Sequence, residues 1–204
     1  MLQYSNRLLA SQEYGALIRE QLSVTFIIEA GMNVYSGAQL ANALYALDVE
    51  FVLSGKEKTS PLKRRPLQLI ISLAESDESR LRLSLIPLFL RHPEYAKYVR
   101  SASKSASQSA SLSLQCYYTA AVWLQRKYRE RLIPLIGKKP SLPNIFSMEL
   151  LISTEKNPDE NLQALGRRHQ ELSKKRINWL GTSEHGAQRF IIHLEKHNHD
   201  RNRP

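Results

Sequence analysis

Leu114-Gln-Cys-Tyr-Tyr-Thr-Ala-Ala-Val-Trp-Leu-Gln-Arg-Lys-Tyr-Arg-Glu-Arg-Leu-Ile133 is the stretch with the clearest helical pattern in the chain. Leu114, Tyr117, Tyr118, Ala121, Leu124, Tyr128 and Leu132 recur at helical spacing, and that stripe predicts a helix over 114–133. Cys116 lies beside Tyr117 and is expected to pack rather than to act as a nucleophile. Beyond the helix, Pro134, Gly137, Pro140 and Pro143 impose an irregular connection that reaches Ser147. Upstream, serine occupies every odd position from Ser101 to Ser113. Such a run reads either as a flexible linker or as a polar helix, since Ala102, Ala106, Ala110 and Leu114 fall four apart.

Further towards the N-terminus, Leu8, Leu9, Ala16, Leu17, Leu22 and Ile27 predict a helix over 5–30, stopped by Gly31. Ser36 suits an N-cap for a second helix whose buried face holds Leu40, Ala41, Leu44 and Leu47. The alternation that follows predicts a short strand near 49–53, or else a last helical turn. Lys56 to Pro66 is a basic loop bracketed by Pro61 and Pro66. Leu67–Glu75 resumes the apolar pattern, and Asp77 or Ser79 could cap a helix running through Arg91. Pro93 opens a short helix or turn with Tyr95 and Tyr98. Towards the C-terminus, Asn157-Pro158-Asp159 starts a helix on which Leu162, Leu165, His169, Leu172, Arg176 and Trp179 follow 3-4 spacing. Gly181-Thr182 is expected to end it, and a last helix carries Ala187, Phe190, Ile191 and Leu194. The fold class is therefore all-α: an irregular bundle of about seven helices, with the possible short strand near 49–53. An N-terminal helical region over 1–100, the serine stretch 101–113, a basic helical region over 114–197 and a frayed tail over 198–204 would make one core or two.

Hydrophobic residues make up 42% of the 204 and charged residues 24%, which places the chain in the globular range. A single cysteine excludes an internal disulfide framework. Residues 1–30 lack the order of a signal peptide, and the strongest apolar run, Leu83 to Leu90, is too short for a bilayer. A complete, cytoplasmic chain without membrane contact is expected. Net charge is +10, unevenly spread: residues 1–113 contribute +3 and residues 114–204 contribute +7.

Several motifs bear on chemistry. Asp77-Glu-Ser-Arg-Leu-Arg-Leu-Ser84, preceded by Leu67, Ile70, Ile71 and Leu73, resembles one HEAT-type helical hairpin. That resemblance implies roles at the turn for Asp77 and at the second helix for Arg82. No second copy follows at a fixed period, whereas solenoids stack at least about three repeats. Leu40–Gly55 resembles the opening of a nucleotidyltransferase fold, with Glu75, Asp77 and Glu78 as the next acids. Their spacing departs from the acid–apolar–acid pair that would hold magnesium in that family. Ser36-Gly-Ala-Gln-Leu-Ala41 resembles the second helix of winged-helix domains, but residues 8–55 carry a net −4 and would repel a polyanion. No Gly-x-Gly-x-x-Gly, Walker lysine turn, Gly-x-Ser-x-Gly or Cys-x-x-Cys occurs.

The cations are more coherent. Arg126, Lys127, Arg129 and Arg131 crowd the end of the aromatic helix. Arg167 and Arg168 precede Lys174 and Lys175 by seven residues, which two helical turns would put on one face, with Arg176 next to them. Lys63, Arg64 and Arg65 come from the proline-bracketed loop. These twelve residues are the candidate nucleic-acid-binding set. His193 and His197 are i,i+4, as metal pairs often are, but sequence places no third ligand beside them, so no metal or other cofactor is expected. The leading functional expectation is a non-enzymatic regulatory protein that contacts DNA or RNA through its basic C-terminal surface. The alternatives are an antitoxin-like or scaffold module with an acidic protein partner, and a degenerate nucleotidyltransferase-like enzyme with its site around Glu75, Asp77 and Arg82.

Overall fold

A computed structural model describes residues 35–50, 60–154, 156–175 and 178–201. Internal contacts divide the chain between Val34 and Tyr35, and everything described belongs to the second unit. The helix expected over 5–30, most of the strand expected over 49–53, the first residues of the basic loop, and Arg176 lie outside the described residues. Among the described residues the structure is all-α, with no strand: Val49 and Glu50 follow the end of a helix in a turn.

The first helix, α1 (Gly37–Ala46), begins as its sequence demands. The Ser36 hydroxyl accepts from the Gln39 amide while the Gln39 side chain accepts from the Ser36 amide, a reciprocal capping box. It ends in a Schellman turn. Asp48 adopts the left-handed conformation (φ 55°), and the Val49 and Asp48 amides donate back to the Leu44 and Tyr45 carbonyls. After a 3-10 turn (Pro61–Arg64), α2 (Pro66–Glu75) starts on its proline, where the missing N–H costs nothing.

One helix was expected up to Arg91, and two are found: α3 (Ser79–Leu83) and α4 (Leu85–Arg91), parted at Ser84. Pro87 has no N–H to offer the Leu83 carbonyl, so a continuous helix would lose a bond there. Restarting at Leu85 puts Pro87 in a first turn, and the buried Ser84 hydroxyl donates to the Leu81 carbonyl at 2.6 Å. The cap at Glu78 makes no side-chain hydrogen bond, so neither Asp77 nor Ser79 serves as expected.

The serine stretch is helical on both sides of a break. It ends α5 (Ala96–Ser105) and begins α6 (Gln108–Lys127), with Ser107 as N-cap. Small side chains line the contact between the two helices: Ala102 and Ala110 are buried, and the Ser103 and Ser111 hydroxyls are 2.7 Å apart. Glu75, at the end of α2, accepts from both the Ser107 amide (2.6 Å) and its hydroxyl (2.8 Å), which fixes the turn.

Among the described residues helix α6 is the axis: α2 to α5 and the three helices that follow it all pack against it. Its expected single stripe is an understatement, because Cys116 to Leu124 are buried without a gap. A helix buried all round needs small residues where neighbours approach and large ones to fill the gaps. Thr119, Ala120 and Ala121 meet the first need, and Tyr118 and Trp123 the second. Phe89 of α4 and Phe146 meet the Tyr118 ring edge-on at 5.0 and 5.9 Å. Tyr118 donates to the Pro143 carbonyl at 2.8 Å, so the irregular segment after residue 136 is tied to the axis.

The predicted helix over 114–133 ends at Lys127, and α7 (Arg129–Ile136) follows it with Pro134 inside rather than beyond. Helix α8 (Pro158–Ser173) starts at the expected Asn157 cap, but it stops six residues before Trp179, where Lys174 turns left-handed (φ 53°). The reason lies in packing. Ten residues of helix would hold His169 and Trp179 about 15 Å apart. The turn instead stacks their rings at 3.7 Å, and Trp179 opens α9 (Trp179–Arg201). Gly181 and Thr182 therefore lie inside α9, not at a helix end. A Cβ on Gly166 would sit 3.2 Å from the Leu180 Cβ, so glycine sets the approach of α8 to α9. Among the described residues, no helix is long and apolar enough to cross a membrane.

Candidate functional site

Helical geometry sorts the cations at the end of α6 into two groups. Lys127 and Arg131 are i,i+4 and turn inward to partners on α8 and α9. Lys127 Nζ lies 2.5 Å from both Asp159 Oδ1 and Glu184 Oε1, and Tyr128 donates its hydroxyl to the same Glu184 oxygen at 2.8 Å. Burial alone would pull the Lys127 ammonium down, but the two carboxylates outweigh it and hold the group above its usual range. Arg131 donates to Glu195 Oε1 from Nε (3.1 Å) and Nη2 (2.9 Å). These two cations are committed to holding α6, α7, α8 and α9 together.

Arg126 and Arg129, on another face, border an open groove between α7 and the segment that follows it. Leu132, Ile133 and Ile136 form its apolar side, and Lys138 and Lys139 complete a set of four cations. The turn into Lys138 rests on Gly137, whose φ of 75° strains any side-chain-bearing residue. Gln125 clamps the far wall: its amide donates to the Pro140 carbonyl at 3.1 Å and its oxygen accepts from the Leu142 amide at 2.7 Å. The Arg126 guanidinium sits 4.4 Å over the Trp123 ring, which orients it without neutralising it.

Among the described residues, none of the four has a carboxylate within 4.0 Å. Glu94 is a carboxyl that senses one of them, Lys139. Burial raises its carboxyl, but the His92 hydrogen bond and then the charges of His92 and Lys139 hold it below its usual value. Glu94 already pairs with His92 at 2.8 Å.

The other candidate cations among the described residues do not join this groove. Arg167 is exposed, and Arg168 pairs with Glu171 at 3.1 Å. Lys174 and Lys175 lie beyond the end of α8, so the two-turn register with Arg167 and Arg168 is not realised. Lys63, Arg64 and Arg65 are exposed on and just after the 3-10 turn. Lys138 and Lys139, absent from the sequence-derived set, were hidden in a proline-rich segment that carries no periodicity.

The acids around Asp77 do not converge. Glu75 holds Ser107, Glu78 pairs with Arg80 at 2.7 Å, and Asp77 is exposed. Arg82 donates to the Ser76 carbonyl and to the Ser79 hydroxyl (3.1 Å), so it closes its own hairpin rather than meeting Asp77. Cys116 is buried, which pushes its thiol up to about 12 and keeps it protonated. His169 is buried against Trp179, and burial, with the Lys175 charge, lowers it to about 4, so the ring is neutral near pH 7. Comparison with family models, curated proteins and solved structures finds no match to this chain.

Proposed function

We propose that the protein binds nucleic acid through the groove bordered by Arg126, Arg129, Lys138 and Lys139. The observation that carries this reading is that, among the described residues, four clustered cations have no carboxylate partner, in a molecule that pairs Lys127, Arg131 and Arg168 internally. Unpaired cations held at fixed spacing lose little on meeting phosphates, because no ion pair must first be broken. The apolar side formed by Leu132, Ile133 and Ile136 would meet sugar and base surface once phosphates are engaged. The overall charge of +10 supports the same reading by drawing polyanions to the surface.

Fluorescence anisotropy with labelled single-stranded and duplex oligonucleotides, titrated from about 50 to 200 mM salt, tests the proposal. Affinity should fall steeply with salt, and each of Arg126→Ala, Arg129→Ala, Lys138→Ala and Lys139→Ala should lower the log–log slope by about one. Arg167→Ala should leave the slope unchanged. Binding that does not respond to salt, or that survives removal of all four cations, would sink the reading and favour an acidic protein partner.

A further inference from the structure

We propose that Glu50, His193 and His197 form a site for a divalent transition-metal ion of the zinc class. The two histidines are one turn apart on α9, with rings edge-on at 5.1 Å. Glu50 reaches them from the turn after α1. There Asp48 takes its left-handed conformation and Val49 is buried to 1% exposure, which fixes where Glu50 leaves the chain. His193 Nε2 lies 3.2 Å from Glu50 Oε2, and His197 Nε2 lies 3.8 Å from Glu50 Oε1. All three ligand atoms fall within 4.8 Å of one another, the one such group of His, Cys, Asp or Glu among the described residues.

Those separations need to close only by about an ångström to surround a metal. Zinc–nitrogen and zinc–oxygen bonds of about 2.0–2.2 Å in a tetrahedron put neighbouring ligand atoms roughly 3.3 Å apart. The metal would take the Nε2 lone pair of each imidazole, with the ring proton on Nδ1, and an oxygen of Glu50. Imidazole nitrogen selects zinc, cobalt, nickel or copper over magnesium and calcium, which favour all-oxygen shells. The side chains of Glu50, His193 and His197 are 31%, 35% and 57% exposed, so a fourth position faces solvent and would take water. The site would bridge the turn after α1 to the last helix, and metal binding would therefore also stabilise the fold.

The test uses the full chain, stripped with chelator and titrated calorimetrically with zinc chloride, and separately with cobalt(II) read by its visible bands. One equivalent should bind, with cobalt bands of tetrahedral intensity, and the melting temperature should rise. Glu50→Gln, His193→Ala and His197→Ala should each weaken binding by at least about tenfold, while His185→Ala and His199→Ala should not. Circular dichroism of Glu50→Gln without metal should match the parent, which separates loss of a ligand from loss of fold. Absence of saturable one-to-one binding, or zinc affinity unchanged in Glu50→Gln, would overturn the site.

Discussion

His169 is the residue whose environment has the clearest consequence for pH. Its ring stacks 3.7 Å from Trp179 and meets Tyr117 edge-on at 5.9 Å. Its pKa falls to about 4 in the folded chain, against the ordinary 6.5. The unfolded chain therefore binds the extra proton between these values. Stability from this group is fully present above pH 6.5 and is lost as pH falls towards 4. The full loss amounts to about 3 kcal/mol. Urea titrations at pH 7 and pH 4.5 should show the wild type losing more stability than His169→Phe, which keeps a stacked ring without a proton site. Equal losses in the two proteins would show that His169 is not the titrating group. At the same scale, the fate of each cation at the end of α6 depends on one residue of helical offset. Lys127 meets two carboxylates while its neighbour Arg126 meets none.

Two contacts between elements invite direct tests. Glu75 ends α2 and binds the Ser107 cap of α6 through both carboxylate oxygens. Removing it in Glu75→Ala leaves an amide and a hydroxyl without their partner, and should cost about 1–2 kcal/mol in chemical denaturation. A loss no larger than that of an exposed control such as Gln108→Ala would argue against this clamp. The second contact is the approach of α8 to α9 at Gly166. Gly166→Ala places a methyl group 3.2 Å from Leu180, so the helices must part or Leu180 must shift. About 1–3 kcal/mol should be lost despite alanine's better helix propensity. Unchanged or higher stability would show that the helices yield freely there.

For the unit from Tyr35 onward, the arrangement of helices around α6 implies cooperative unfolding. Helices α2 to α5 and α7 to α9 all pack on this one segment, so none of them keeps its core once α6 is lost. The two tryptophans report from different places: Trp123 from the middle of α6 and Trp179 from the start of α9. Single-tryptophan variants made by Trp123→Phe and Trp179→Phe should each give a fluorescence midpoint equal to that variant's own circular-dichroism midpoint. Fluorescence and circular dichroism that part company within one variant would mean that α8 and α9 unfold apart from the rest.

Local pattern by itself determined the helical class, the Ser36 and Asn157 caps, the buried face of α1 and the apolar stripe of α6. Each depends on residues within a few positions of one another, where period, capping and proline sterics act directly. The ends of helices were less legible. The break at Ser84, the survival of helix through Pro134 and the turn at Lys174 are decided by what each segment buries against its neighbours, and spacing alone does not encode those neighbours. Charge was legible as an excess in residues 114–204, but not as a site. Only tertiary structure decided that Lys127 and Arg131 pair internally while Arg126 and Arg129 share a groove with Lys138 and Lys139. The same holds for Glu50, brought to His193 and His197 across more than half the chain. Sequence displays the two histidines but not their third partner, because that proximity comes from how α1 and α9 are placed around the common core.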